Sequence, residues 1–307
     1  MKKLLFPFIL LLVLIISACS NETSGKEESS SKKEEQPKTN TYQSENGPIE
    51  VPANPKRVIL LSGFTGNVID LGVNIVGVDV WSKNNPTFKE ELKDVAEVSD
   101  ENLEKIIELE PDLIIGLSNI KNLDKLKEIA PTVTYTWGKA DYLTQHLEIG
   151  KLLNKEKEAQ AWVDDFKTRA KTAGDEIRSK IGEDATVSVI EAYDKDLYVF
   201  GNNWARGTEI LYQAMNLKMP DKVKEMALKS GYYAISAEVL PEYAGDYVIL
   251  SKYADADHSF QETETYKNIP AVKNNRVFEL NGNGASFSDP VTLDKQLDFF
   301  KKSFLGN

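Results

Sequence analysis

From Ile49 onward the chain alternates between short apolar runs and longer stretches of helical spacing. Val58-Ile59-Leu60-Leu61, Ile75-Val76-Gly77-Val78, Leu113-Ile114-Ile115 and Val133-Thr134-Tyr135 are β-branched or apolar throughout. Continuous runs of this length suit strands buried on both faces, as in a parallel sheet. The helix expected near Asn102 has Asp100 and Asn102 as capping candidates, and Pro111 stops it. A second set of runs follows later: Val187-Ser188-Val189-Ile190, Leu197-Tyr198-Val199-Phe200, Tyr247-Val248-Ile249-Leu250 and Val277-Phe278-Glu279-Leu280. A helix from about Asp289 to Phe304 closes the chain.

Between the two sets, Tyr142 to Ile181 contains no proline, and its glycines are Gly150 and Gly174. Ala159, Trp162, Val163, Phe166, Ala170, Ala173 and Ile177 recur at alternating three- and four-residue steps, which is one apolar helical stripe. At about 1.5 Å per residue the whole run would reach roughly 50–60 Å. No single lobe of this size needs such a helix internally, whereas a helix packing along two lobes does. The pattern therefore predicts an α/β fold of two Rossmann-like lobes with central sheets, joined by one long rigid α-helix, with a ligand cleft between them. The expected divisions are an amino-terminal lobe over 46–141, the interlobe helix over 142–181 and a carboxyl-terminal lobe over 182–307.

The amino terminus reads differently. Met1-Lys2-Lys3 is a short positive segment, and Leu4 through Ile16 is almost wholly apolar. That run is shorter than the roughly 20 residues of a spanning helix, and small residues follow it, so 1–18 reads as a secretory signal. Ile16-Ser17-Ala18-Cys19 resembles a bacterial lipobox, which implies cleavage before Cys19 and lipidation of that residue, the chain's only cysteine. The cleaved protein would have no disulfide and would depend on its packed core. Residues 19–45 are Ser, Lys, Glu, Asn, Thr and Gln with little apolar content, which predicts a flexible tether behind the lipidated Cys19. The formal charge of -11 disfavours nucleic acid and anionic lipid as partners, and the loss of Lys2 and Lys3 would make it more negative still. Acyl chains would hold the chain to the outer face of the cell membrane.

Several chemistries lack their motifs. There is no G-x-S-x-G elbow, no Walker loop and no dinucleotide fingerprint, and neither His146 nor His258 has a recognisable catalytic partner, so no enzymatic activity is expected. Two histidines far apart in order, with no cysteine after Cys19, make a histidine-ligated metal site improbable. Met215, Met219 and Met226 read as packing residues, not haem ligands.

Across nearly all of the chain beyond the signal, the sequence resembles the helix-linked substrate-binding lipoproteins of iron-siderophore ABC importers. Asn54-Pro55-Lys56-Arg57-Val58, Glu110-Pro111-Asp112-Leu113-Ile114-Ile115 and Ala130-Pro131-Thr132-Val133 match that family's strand-entry phrases. Leu197-Tyr198-Val199-Phe200-Gly201-Asn202-Asn203-Trp204-Ala205-Arg206-Gly207, with Leu211-Tyr212-Gln213-Ala214 and Asp289-Pro290, look like its ferric-hydroxamate branch. The resemblance implies that Tyr198, Trp204 and Arg206 face the cleft and touch the iron complex, with Phe64, Trp81 and Trp137 contributed by the first lobe and Phe287 by the second. It also implies one glutamate on each lobe, Glu104 and Glu238, that docks on arginines of the permease; both are expected in first helical turns.

The implied ligand is an Fe(III)-siderophore complex whose six oxygens saturate the iron, so the protein itself carries no cofactor and ligates no metal. The implied partners are the ferric siderophore, the permease subunits and, indirectly, their ATPase; the chain is expected as a monomer, with no nucleic-acid partner. The sequence departs from the branch at Leu117, where one relative type has tyrosine, and at Gly284-Ala285-Ser286-Phe287-Ser288, where relatives carry aromatic residues. A ferric catecholate is the nearest competing ligand; it calls for a basic cluster, for which only Arg206, Arg57 and Arg276 are candidates. Haem binding on the same fold, a surface lipoprotein without a transport role, and an enzyme are the remaining alternatives.

Overall fold

The computed structural model describes residues 38–194 and 196–306. The signal segment and Cys19 lie outside the described residues. No helix among the described residues is long and apolar enough to cross a membrane.

The chain first forms an antiparallel hairpin, β1 (Thr39–Ser44) with β2 (Gly47–Pro52). This corrects the expected tether, whose last residues, to 45, are structured. Tyr42 is the reason: it is buried, and its hydroxyl lies 3.2 Å from that of Tyr135 and donates to Glu148 at 3.3 Å.

The amino-terminal lobe is a five-stranded parallel sheet of β3 (Val58–Leu60), β4 (Ile75–Val78), β5 (Ala96–Glu97), β6 (Leu113–Leu117) and β7 (Thr132–Tyr135), in the order β5-β4-β3-β6-β7. Its helices are α1 (Thr65–Asp70), α2 (Val80–Lys83), α3 (Leu103–Glu108) and α4 (Leu123–Ile129). Alternate residues of each strand serve opposite cores. Val58, Leu60, Leu113 and Ile115 enter one cluster, while Ile59, Leu61 and Ile114 enter the other. That is why the strand segments read as unbroken apolar runs. Asn102 caps α3 by accepting from the Lys105 amide at 3.1 Å.

The run expected as one helix from Tyr142 to Ile181 is divided into α5 (Tyr142–Leu152) and α6 (Glu156–Ile181). Asn154 makes the break with φ of 58°, a left-handed conformation that asparagine tolerates better than most residues. The two helices pack closely at this corner, where a Cβ on Gly150 would lie 2.6 Å from that of Ala159. The long rigid helix is thus α6, about 39 Å over its 26 residues. Its stripe is buried as expected: Ala159 packs in the amino-terminal core, and Phe166, Ala170, Ala173 and Ile177 pack in the carboxyl-terminal one.

The carboxyl-terminal sheet has the order β10-β9-β8-β11-β12, from β8 (Val187–Tyr193), β9 (Asp196–Phe200), β10 (Tyr232–Ile235), β11 (Tyr247–Lys252) and β12 (Val277–Asn281). β8, β11 and β12 are parallel, and β9 and β10 join antiparallel at one edge. Around it lie α7 (Asp221–Ala227), α8 (Leu240–Tyr243), α9 (Glu264–Lys267), α10 (Pro270–Lys273), α11 (Gly282–Ala285) and α12 (Pro290–Leu305).

Helix α12 makes a second bridge between the lobes. Leu293, Leu297, Phe300 and Phe304 belong to the carboxyl-terminal core, whereas Val291 and the preceding Phe287 pack against the amino-terminal one. Its cap Asp289 sits against α1, where a Cβ on Gly66 would fall 1.7 Å from Asp289 Oδ1. Lys295 Nζ donates to the Thr87 carbonyl at 2.6 Å, and Trp162 Nε1 of α6 donates to Asp294 at 3.0 Å.

Candidate functional site

A cleft of about 550 Å³ opens between the lobes. In the amino-terminal lobe its wall comes from the carboxyl ends of three strands: Gly63 and Phe64 after β3, Leu117 at the end of β6, and Thr136 and Trp137 after β7. β3 and β6 are neighbours whose connections run to opposite sides of the sheet, the place where open α/β sheets leave a crevice. The first turns of α5 add Asp141, Tyr142 and Gln145, and α1 adds Asn67. The other wall is Asn202, Asn203 and Trp204 after β9, Glu209 and Gln213, Lys229 to Gly231 before β10, and Phe287 with Ser288.

Trp137 and Trp204 meet edge-to-face across the cleft, with ring centroids 6.3 Å apart. Trp137 is 64% exposed, so its flat face is open to a ligand. Trp204 is half-buried and leans on Tyr232 at 5.1 Å. Gly231 is required beneath it: a Cβ there would lie 2.4 Å from the indole, and its φ is +88°. Phe64 is buried at the floor, edge-on to Tyr135 at 5.3 Å, and Phe287 stands beside Phe88 at 6.1 Å.

The turn that carries Trp204 is strained. Ala205, Arg206 and Gly207 have φ of 57°, 55° and 81°, so two side-chain-bearing residues in succession are left-handed. Its bracing is dense. The Trp204 amide donates to Thr208 Oγ1 at 3.0 Å, the Ala205 amide to Glu209 Oε1 at 3.0 Å, and the Arg206 amide to the Ala285 carbonyl at 2.8 Å. Glu209 is buried, which raises its pKa, while bonds from Ala205, Ser288 and Thr208 pull the other way.

Arg206 is not among the residues lining the cleft. Its Nε and Nη2 donate to Glu191 Oε2 and Oε1 at 2.8 and 2.9 Å, its Nη1 donates to the Trp204 carbonyl at 3.2 Å, and it stacks over Phe200 at 5.0 Å. Burial works against the guanidinium charge, but the Glu191 contacts outweigh it and hold the pKa above the ordinary arginine range. Ser251 donates to Glu191 as well, at 2.8 Å. Three of the five guanidinium N–H groups are used in this way.

Tyr198 also stands outside the lining. It pairs with Glu191 across β8 and β9 and therefore shares its face of the sheet; its hydroxyl is 3.4 Å from Asp196, and its ring is edge-on to Tyr232. Trp81, on α2, is 58% exposed and lies away from the lining. The structure thus brings together Phe64, Trp137, Trp204 and Phe287 and places Tyr198, Arg206 and Trp81 elsewhere. Sequence reasoning missed Asp141, Gln145 and Glu209. Asp141 could have been found as an Asp two residues before Leu143 at a helix start; the buried Glu209 gives no signal beyond an acid in a first turn.

Glu104 is exposed in the first turn of α3, as expected. Glu238 is exposed too, but it lies in the turn two residues before α8, where a hydrogen bond with Ser236 holds its carboxyl below the ordinary glutamate range. The histidines are committed to packing. His146 is buried between Asn67, Asp70 and Trp162, and His258 Nε2 is 2.8 Å from the Tyr253 carbonyl.

Residues 59–283 match the family described as periplasmic binding protein. The iron(3+)-hydroxamate-binding protein FhuD of Bacillus subtilis (strain 168) is 35% identical over 273 residues, covering 87% of this chain and 86% of that protein. Among solved structures, the FhuD protein of S. pseudintermedius is 34% identical with a TM-score of 0.79, covering 88% of this chain and 99% of that one. FhuD2 of Staphylococcus aureus with bound ferrioxamine B is 33% identical with a TM-score of 0.78, covering 82% and 99%.

Proposed function

Since the chain belongs to the periplasmic binding protein family, on its iron(3+)-hydroxamate-binding branch, we propose that it captures a ferric hydroxamate outside the cytoplasm and delivers it to an ABC permease. The observation that carries this reading is the facing pair Trp137 and Trp204 in a cleft of about 550 Å³ between two bridged lobes. A hydroxamate siderophore has already filled the six positions around its iron. The protein need only offer aromatic walls to the scaffold and a few donors to its oxygens. Trp137, Trp204, Phe64 and Phe287 supply the walls. Arg206, held by Glu191, and Tyr198 on the same sheet face stand outside the lining and would meet ligand oxygens only on a shift of their side chains.

The cleft needs no resident metal or cofactor for this task, and the chain acts as a carrier that returns its ligand unchanged, not as an enzyme. Cys19 would carry the lipid that keeps the monomer at the outer face of the membrane. Glu104 and Glu238 would dock on the permease, whose ATPase powers release. Reversal of both charges should leave ligand affinity intact and abolish uptake; normal uptake by the double variant would remove the docking role.

The catecholate alternative is less well supported, because among the described residues Lys229 is the one cation in the cleft lining. Arg57 is engaged with the Leu109 and Glu110 carbonyls, and Arg276 lies over Tyr247. The deciding experiment is tryptophan fluorescence of the full chain in detergent, titrated with ferric ferrichrome, ferrioxamine B, a ferric catecholate and haem. Saturable quenching by a hydroxamate is expected. Preference for the catecholate or haem, or silence toward all four, would overturn the proposal.

A further inference from the structure

The charges of the cleft narrow the ligand beyond its iron-binding groups, on the reading that the cleft holds a ferric hydroxamate. Among the described residues, two carboxylic acids, Asp141 and Glu209, line the cleft against the single cation Lys229. Arg206 does not change this balance, because the buried Glu191 faces it in a two-point ion pair. The two carboxylates act on one region. Tyr142, which also lines the cleft, has its pKa raised first by burial and then by the charges of Glu209 and Asp141.

The amino end of α5 would ordinarily attract an anion. Here Asp141 already occupies it, accepting from the Leu143 and Thr144 amides at 3.0 Å and from Thr144 Oγ1 at 2.6 Å. One helical turn onward, Gln145 contributes a side-chain amide to the lining, with a buried Nε2 that has no partner in the protein. A ligand that satisfies both residues presents an oxygen to Gln145 and no negative charge to Asp141.

We propose that the cleft discriminates among ferric hydroxamates by the charge of the arm beyond the iron centre, favouring an ammonium arm over a neutral arm and a neutral arm over a carboxylate arm. Asp141 sets the preference, Glu209 adds to it where it is ionised, and Gln145 donates to the ligand's oxygens. The field inside a partly enclosed cleft is less screened than at the open surface, so a change of one charge is felt there.

Ferrioxamine B ends in a primary amine, and acylation of that amine leaves the iron centre untouched. The test therefore uses ferrioxamine B, its N-acetyl derivative and its N-succinyl derivative, titrated into the full chain in detergent at low and high salt. Affinity should fall in that order, by about tenfold from first to last at low salt, and the spread should shrink as salt rises. Asp141→Asn keeps a capping side chain on α5 and should compress the spread; Glu209→Gln should compress it as well. Equal affinities, or a reversed order, with all three complexes bound would overturn the charge preference and leave the hydroxamate reading standing. Failure of all three to bind would overturn that reading and the preference with it. A spread that Asp141→Asn leaves unchanged would remove Asp141 as its source.

Discussion

On the carboxyl-terminal lobe, Trp204 precedes three consecutive left-handed residues, and the turn is fastened from behind by Glu209, the Ala285 carbonyl and the Arg206–Glu191 pair. On the amino-terminal lobe, Trp137 follows β7 in a turn closed by the Lys139 amide on the Thr136 carbonyl at 3.2 Å and tied to Glu45 through Thr136, yet its ring is 64% exposed. The first wall stores backbone strain of about 1–3 kcal/mol at each left-handed non-glycine residue and offsets it with buried polar contacts. The turn at Trp137 has no left-handed non-glycine residue, and it leaves its indole exposed. The contrast is between a ring held in place by its packing, at Trp204, and a ring left free to move on a braced turn, at Trp137. A preformed surface loses less freedom on binding, so the carboxyl-terminal wall should carry more of the affinity per contact.

The harshest way to break this comparison is to remove the brace. Glu191→Ala leaves the Arg206 guanidinium buried without its partner and should cost about 3–5 kcal/mol of stability, measured as a drop in denaturant midpoint. A loss below about 1 kcal/mol would show that the turn does not depend on the pair.

The seam between the walls gives the next effect. Burial raises Asp289 from 3.8 to about 6, against the pull of its bonds from Thr292. The folded state therefore holds this proton more tightly than the unfolded chain does. The carboxylate opposes folding above pH 6, and the Asp289 contribution to stability should rise as pH falls from about 6 toward 4, by about 3 kcal/mol at most, against the opposite trend of carboxylates such as Asp141 and Glu45. Glu209 shifts in the same direction, so Asp289→Asn isolates one share. That variant should keep its cap on α12 and flatten the dependence, as read from thermal unfolding across this range. An unchanged slope would show that Asp289 contributes nothing to it.

The smallest effect sharpens the comparison itself. Trp204→Ala should weaken ferric hydroxamate binding by about tenfold and Trp137→Ala by only a few-fold, since the exposed ring has less to lose on truncation. Isothermal titration reads both without relying on indole emission. Equal losses would mean that the two walls contribute alike, whatever their bracing.

Much of the architecture was legible because burial on both faces leaves a direct trace in sequence. Val58 to Leu61 and Leu113 to Ile115 could not be uniformly apolar on a half-exposed surface, and the stripe from Ala159 to Ile177 has one helical solution. The hairpin at 39–52 left almost no trace, because one buried tyrosine on a polar strand anchors it. The break at Asn154 was equally quiet, since asparagine interrupts a helix without the mark of proline or glycine. At the site, the aromatic residues near strand ends could be found, but their sorting could not. Trp137 and Trp81 look alike in sequence, yet one lines the cleft and the other does not.

The sequence by itself determined the two α/β lobes, the long helix between them and the aromatic supply near the cleft, because periodicity and apolar content are local properties of the chain. Only the tertiary structure decided that α12 is a second bridge, that Glu191 captures Arg206 and that Asp141 and Glu209 share one pocket. Those relations join residues far apart in order, and no local pattern encodes which charges meet when two lobes close around a common space.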